Sequence, residues 1–200
     1  RLRAAYQTGK ETHLAFKEGL QKIGSEVLAG VSGWAAVLIG KPYNIYDSFL
    51  NLNLVRYLGR MGVTAIPYEF LPSIGRELLD ESWDSLPWRF NRDYIKAALT
   101  ARSDARLYPV VVSKFGCGPD GFTLKHMEKI LRGKPTLFLE FDEHRGEAGM
   151  VTRLEAFLDE VAGHRKKGPA LPPEQDIAAV LQAWGVDGDT VERLRPATTA

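Results

Sequence analysis

The chain has 200 residues, of which 44% are hydrophobic, and its formal net charge is +1. This near-neutral charge gives no electrostatic reason to expect nucleic acid or an anionic membrane as a partner, and no apolar run reaches the roughly 18 residues of a membrane helix. The single cysteine excludes an internal disulfide framework and a self-contained site of four thiolates, and it is compatible with a reducing cytosol. We therefore expect a cytoplasmic protein with a hydrophobic core.

Residues 1–33 have the pattern of one amphipathic helix. We expect it to be either a packing helix on the flank of a domain or the end of a linker from an upstream domain. Because the chain opens at Arg1 without a signal-peptide pattern, we also expect it to be a piece of a longer protein. The helix is predicted over residues 4–29 by an apolar stripe at spacings of three and four: Phe16, Leu20, Ile23 and Val27.

Residues 34–163 alternate between short apolar runs and helical patterns. The run at 35–40 predicts a strand buried on both faces, and the runs at 63–67, 107–113 and 136–141 predict three further strands. Helical spacing follows at about 49–58, 88–101, 119–131 and 151–163, the second of these after a long polar connection at 68–86. Since strand–helix–strand units form parallel sheets, we predict an α/β domain of the Rossmann-like or flavodoxin-like kind, with an open four-stranded parallel sheet. Residues 164–200 are predicted to be a C-terminal extension with a short amphipathic helix.

The cysteine lies in the stretch Phe115-Gly116-Cys117-Gly118-Pro119-Asp120, between the third predicted strand and the helix that follows. Two glycines allow a sharp turn and close approach of another group. A helix start favours a thiolate, because its N–H groups and dipole stabilise negative charge. Three uses suit this thiol: a nucleophile, a redox group or one ligand of a metal centre. The stretch lacks the Gly-Lys-Ser/Thr ending of a phosphate loop, and it fails the dinucleotide fingerprint.

The predicted topology brings other polar segments towards the cysteine. In open α/β sheets the working site lies beyond the carboxyl ends of the strands, where the strand order reverses. For an order of 2-1-3-4, the reversal falls between the first and third strands. The loop Tyr43–Asp47 would then lie beside the cysteine stretch, and the loop 142–149 would lie on its far side.

The role of Cys117 depends on the groups that join it. A nucleophile would need a base, which His144 could be if Asp47 or Asp142 oriented it. A metal site within this chain would combine Cys117 with Asp142, Glu143 and His144, which is a chemically mixed set. A lone thiol in an excised piece is also suited to be one ligand of a metal cluster whose other ligands are cysteines of another domain. A cysteine-dependent hydrolase or transferase and a non-catalytic binding or scaffold module are the alternatives.

Four stretches of the chain resemble one family in the same order. They are Gly40-Lys41-Pro42-Tyr43-Asn44-Ile45-Tyr46-Asp47, the cysteine stretch, Asp142-Glu143-His144, and the run from Ala148 to Phe157. The family that they resemble is the 2-hydroxyglutaryl-CoA dehydratase-related proteins and, more closely, the large fused acyl-CoA dehydratase activase-related proteins. The resemblance covers about residues 34–162. Lys114 stands where the family pattern leads us to expect Asn, and Gly121 where it leads us to expect Ser.

The resemblance implies an oxygen-sensitive iron–sulfur protein of anaerobic metabolism. In such systems an actin-like ATPase activase, driven by ATP hydrolysis, reduces a dehydratase-like component at low potential. This chain would be the second of the two related α/β domains of that component. Cys117 would ligate an iron–sulfur cluster of the 4Fe–4S kind, completed by residues outside this chain. The implied partners are an upstream dehydratase-like domain, the ATPase activase domain and an acyl-CoA.

The resemblance and the topology together assign the site residues. No catalytic residue is assigned, and the isolated piece is expected neither to hold a stable cluster nor to turn over substrate. Arg153 is expected either beside the site or in an ion pair with Glu155 or Asp142. The residues expected to shape the cofactor pocket are Tyr43, Asn44, Asp47, Gly116, Gly118 and His144.

Overall fold

The computed structural model describes residues 1–75, 86, 88–114, 118–142 and 146–167. Its centre is a four-stranded parallel sheet with the order β2-β1-β3-β4. The predicted fold class is confirmed, and the order is the one on which the convergence of the loops depended. The strands are β1 (Ala35–Gly40), β2 (Thr64–Pro67), β3 (Leu107–Ser113) and β4 (Leu137–Glu140).

The two central strands have the composition that a doubly covered sheet requires. Every residue of β1 and β3 is buried, which explains their continuously apolar sequences. In the register Ala35 pairs with Leu107 and Gly40 with Val112, so β1 and β3 begin and end nearly level. Their carboxyl ends therefore form a common edge of the sheet.

Helices cover both faces of the sheet. Right-handed crossovers place α4 and α5 on one face and α3 on the other, and α4 packs against α5. On the α3 face, the hydroxyl of Tyr57 donates a hydrogen bond to Glu147 at the start of α6. The helices are α1 (Leu2–Gly30), α2 (Pro42–Tyr46), α3 (Leu54–Arg60), α4 (Arg89–Ser103), α5 (Gly118–Ile130) and α6 (Glu147–Lys167), with 3-10 turns at Tyr68–Phe70 and Pro72–Gly75.

Helix α1 packs on the two 3-10 turns. The contact is close at Gly24, where a Cβ atom would lie 1.8 Å from the carbonyl oxygen of Phe70. Apolar side chains elsewhere on α1, including Tyr6 and Phe16, are exposed. The predicted packing helix therefore exists, although much of its apolar stripe lies against solvent in this chain.

Three boundaries differ from the predictions. The polar loop expected after β1 is the short helix α2, because Pro42 presets its first turn and the Lys41 carbonyl accepts hydrogen bonds from the next turn. The helix expected from residue 49 begins only at Leu54, because Leu52 and Asn53 have positive φ values. Helix α6 runs four residues past Gly163, since no left-handed residue ends it there and its last turn contacts the body of the domain.

Two further sequence predictions can be compared with the structure only in part. Residues 147–149 of the predicted loop 142–149 are the first turn of α6. The predicted extension beyond residue 167 lies outside the described residues. Among the helices that the structure describes, none combines the length and the apolar content of a membrane span.

Candidate functional site

The candidate site is the edge of the sheet where β1 and β3 end. Gly40, the last residue of β1, comes so close to β3 that a Cβ atom there would lie 2.4 Å from the Val112 carbonyl oxygen. The absent side chain lets the two strands stay paired up to their ends. The next residues, Lys41 after β1 and the start of α5 after β3, are thereby brought together.

An ion pair joins the two segments that follow these strands. The Lys41 ammonium nitrogen lies 3.2 Å from Oδ2 of Asp120, and the two side chains are 21% and 6% exposed. Asp120 is the last residue of the cysteine stretch, and it lies in the first turn of α5. Its second oxygen, Oδ1, is buried without a hydrogen-bond partner among the described residues. The ion pair thus joins the residue before α2 to the last residue of the cysteine stretch. Gly116 and Cys117 lie outside the described residues, so their placement beside Tyr43–Asp47 stays a prediction.

The start of α5 is fixed from a second direction by α4. The Asn91 side chain, which is 1% exposed, donates hydrogen bonds to the Pro119 carbonyl at 2.7 Å and to the Thr123 hydroxyl at 2.5 Å. The Thr123 hydroxyl in turn donates to the Pro119 carbonyl at 3.0 Å. The buried Asn91 amide thus ties the start of α5 to α4 through two hydrogen bonds from a donor that has no water to bond instead.

Helix α2 presents the predicted residues Tyr43, Asn44 and Asp47 in three different ways. Asn44 is buried, and its Nδ2 has no hydrogen-bond partner among the described residues. Tyr43 is half-exposed. Asp47 caps the following turn, because its Oδ1 accepts hydrogen bonds from the amides of Phe49 at 2.9 Å and Leu50 at 3.0 Å. Asn44 is therefore the residue of the three whose buried polar atom is still available to a ligand.

Tyr94 of α4 adds a polar group that the sequence did not single out. Its side chain is buried, and its hydroxyl has no hydrogen-bond partner in the described part of the chain. Burial, and then the neighbouring Tyr68 and Asp120, raise the pKa of Tyr94 well above the ordinary value of a phenol. The hydroxyl therefore stays protonated and can donate a hydrogen bond.

Asn44, Tyr94 and Asp120 thus carry buried polar atoms that lack partners among the described residues. Burying such an atom without a hydrogen bond costs about 1–3 kcal/mol, so their presence around one edge of the sheet favours a bound group or water there. Asp120 belongs to the cysteine stretch, but the sequence alone assigns it no role. Asn91 and Tyr94 could have been found as polar residues on the apolar stripe of α4, three positions apart.

The remaining predicted residues divide between described and undescribed parts of the chain. Gly116, Cys117 and His144 lie outside the described residues. Gly118 is the first residue of α5, and a Cβ atom there would meet nothing within 4 Å. Arg153 donates a hydrogen bond to the Phe138 carbonyl of β4 at 2.6 Å. In the described ranges no group of three or more His, Cys, Asp or Glu side chains could hold a metal ion.

The amino-terminal part of the chain is similar to a known protein family. Residues 1–71 match the family model described as "CoA enzyme activase uncharacterised domain". No curated protein and no solved structure matches the chain. The match includes helix α1, which the resemblance seen in the sequence did not cover, and it ends at Leu71, before the cysteine stretch. The part of the candidate site that includes Lys41 and Asn44 thus lies in a region related to CoA enzyme activases.

Proposed function

We propose that this chain is one domain of an ATP-coupled, acyl-CoA dehydratase activase-like electron-transfer protein, in which Cys117 is one ligand of an iron–sulfur cluster. The other ligands and the ATPase come from an upstream dehydratase-like domain and an activase domain outside this chain. The Lys41–Asp120 ion pair carries the proposal. It joins two of the family-like stretches at the edge of the sheet where the helix that follows Cys117 begins.

The donor chemistry of the chain fits one cluster ligand and no more. A cluster of the 4Fe–4S kind takes four thiolates, and the chain contains one cysteine. Cys117 is bonded directly to Gly118, the first residue of α5, where helical N–H groups and the helix dipole favour a thiolate. Lys114 directly after β3 adds positive charge near this point, which favours an anionic centre, whereas the charge of Lys41 is balanced by Asp120.

Each described residue of the site has a defined task in this proposal. Asn91 and the Lys41–Asp120 pair fix the first turn of α5, and hence the covalent attachment point of Cys117. Asn44 and Tyr94 offer hydrogen-bond donors towards the site, which would stabilise negative charge there. A bound cluster would supply one-electron transfer, and an acyl-CoA would be the substrate of the complete system. The protein would act in the cytoplasm of an anaerobic cell.

Anaerobic reconstitution of the whole protein that contains this chain tests the proposal. Iron content and the visible absorption spectrum are measured for the unaltered protein, for Cys117→Ser and for the matched control Gly121→Ser. We expect Cys117→Ser to lose most of the iron, because serine is a poor cluster ligand, and Gly121→Ser to keep it. Equal iron in all three proteins would reject the role of Cys117.

The same proteins separate the two alternatives. A cysteine-dependent hydrolase or transferase predicts fast alkylation of Cys117 at neutral pH in the isolated chain, slowed by His144→Ala. A binding or scaffold module predicts neither iron nor such reactivity. The proposal predicts iron in the whole protein together with alkylation that does not depend on His144.

A further inference from the structure

A cleft that the proposed function does not use lies at the amino ends of the strands, opposite the candidate site. It has a volume of about 340 Å³, which lies within the range of small-ligand sites. Its walls come from the α1–β1 connection at Ser32 and Gly33, the start of β3, and the end of α6. Because Ala35 pairs with Leu107 at the amino ends of β1 and β3, this cleft lies a full strand length away from the Lys41–Asp120 pair.

Four basic side chains from separate parts of the chain line the cleft: Arg106, Lys134, His164 and Arg165. The acidic groups near them are fewer. Asp104 is paired with Arg106 at 2.9 Å, and Glu160 lies one turn before His164 on α6. The two carboxylates balance the two guanidiniums, so the lining carries net positive charge when Lys134 or His164 is protonated.

Hydrogen bonds hold these cations in place, and some of their N–H donors remain unused. Lys134, which is 5% exposed, donates to the carbonyls of Ala101 and Asp104, and a lysine has three donors. Arg165 donates from Nη1 to the Gly33 carbonyl at 2.8 Å. A guanidinium has five donors in a planar fork, so most of this one stays available for an oxyanion.

We propose that this cleft is a binding site for a phosphoryl group, held by the guanidinium fork of Arg165, with Arg106, Lys134 and His164 around it. A guanidinium fork matches the oxygen geometry of phosphate and forms charge-assisted hydrogen bonds with it. The fork of Arg106 is taken by Asp104, to which Nε and Nη2 donate at 3.2 Å and 2.9 Å, and its Nη1 donates to the Leu28 carbonyl at 3.3 Å. Arg106 therefore contributes only the N–H groups of Nη1 and Nη2 that these bonds leave over. A bound anion would balance the charge that Lys134 and His164 carry when they are protonated. The ligand class is inorganic phosphate or a small phosphorylated molecule.

The protonation of Lys134 and His164 predicts how anion binding to the cleft depends on pH. Burial lowers the pKa of Lys134 to about 7, with Asp104 opposing and Arg102 adding to that effect. Burial and the nearby Lys134 lower the pKa of His164. An anion would favour the charged forms of both groups, so binding takes up protons and tightens as the pH falls through 7. The charged and titratable groups that face these two residues are Arg102, Asp104, Arg106, Tyr108, Glu160 and Arg165.

Titration of the 200-residue chain with inorganic phosphate, followed by calorimetry and by NMR of the His164 ring and the Lys134 side chain, tests the site. Chloride at matched ionic strength is the reference. Sulfate, which does not titrate near neutral pH, measures the proton uptake. We expect saturable binding of one phosphate with shifts at both side chains, and sulfate binding that tightens several-fold from pH 8 to pH 6.5.

Arg165→Gln should weaken phosphate binding roughly tenfold, which corresponds to about 1.4 kcal/mol. Lys166→Gln, an exposed neighbour on α6 that does not line the cleft, should leave the affinity unchanged. Arg106→Gln is the second variant, and its expected loss is larger because it also releases Asp104 into the cleft. Phosphate that binds no better than chloride, acetate that binds as tightly as phosphate, or equal losses in Arg165→Gln and Lys166→Gln would each overturn the proposal.

Discussion

The ion pair between Lys41 and Asp120 should be a strong contact because it is buried. At 3.2 Å the gross attraction is about 5 kcal/mol for an effective dielectric constant of about 20 and about 1 kcal/mol in water. Desolvation of the almost fully buried carboxylate offsets part of this gain, and the Lys41 side chain keeps some contact with solvent. We therefore expect a coupling energy of about 2 kcal/mol between the two side chains.

A double-mutant cycle measures that coupling. Lys41→Met, Asp120→Asn and the double variant are unfolded in urea, and the free energies of unfolding are compared. Lys41→Met alone should be the most damaging change, because it leaves a buried carboxylate without its cation. The double variant should recover part of the loss, since it leaves no uncompensated charge.

The pair Lys125–Glu128 on the same helix is the matched control. Its nitrogen–oxygen distance of 2.9 Å is shorter, but its side chains are 75% and 47% exposed. Solvent-exposed pairs at this spacing couple by about 0.2–0.5 kcal/mol. Coupling of Lys41 and Asp120 that is no larger than the coupling of the control pair would refute the view that a buried ion pair fixes the site.

Three further predictions concern stability. Gly24→Ala should destabilise the fold by at least about 2 kcal/mol, because its Cβ atom would meet the Phe70 backbone. The control Gly19→Ala on the same helix, where a Cβ atom meets nothing within 4 Å, should stabilise the fold by about 0.5–1 kcal/mol. Equal effects of the two substitutions in thermal unfolding would contradict this. Asn91→Ala should cost about 2 kcal/mol in urea unfolding through two lost hydrogen bonds, and a loss below about 0.5 kcal/mol would be inconsistent with its anchoring role. The pKa of Lys134 is about 7 in the folded state, which is below its value in the unfolded state. Above pH 7 the folded protein therefore binds fewer protons than the unfolded protein, so the free energy of unfolding, relative to that of Lys134→Met, should rise from pH 7 to pH 10. A flat difference between the two proteins over that range would show that the ammonium stays charged.

The sheet could be predicted from sequence because its signals are local. The runs at 35–40 and 107–113 are continuously apolar and bounded by turns, which is typical of strands buried on both faces. Their order was assumed in the argument for the convergence of the loops, and the structure has that order. Helix boundaries were less predictable, because Pro42 can begin a helix as well as interrupt a loop, and because Gly163 lies within α6 although glycine often ends helices.

The candidate site was predictable only where the order of the strands defines it. The sequence predicted the loop Tyr43–Asp47 beside the cysteine, and the Lys41–Asp120 pair joins the residues at the outer ends of these two stretches. Asn91 and Tyr94 lie on the buried stripe of α4, which marks them as polar residues of the core. Their distance in sequence from the cysteine stretch leaves no local pattern that joins them to the site. The basic cleft likewise combines residues 32–33, 106, 134 and 164–165, which meet only after the sheet and α6 have formed.

The most direct test of the central claim is the reactivity of Cys117 itself. In the whole protein, reconstituted anaerobically, alkylation of Cys117 is measured by mass spectrometry before and after the iron is removed by a chelator. A thiolate bound to iron is protected, so we predict slow alkylation in the iron-loaded protein and fast alkylation after chelation. Equal alkylation rates in the two states would show that Cys117 does not ligate the cluster and would contradict the proposed function.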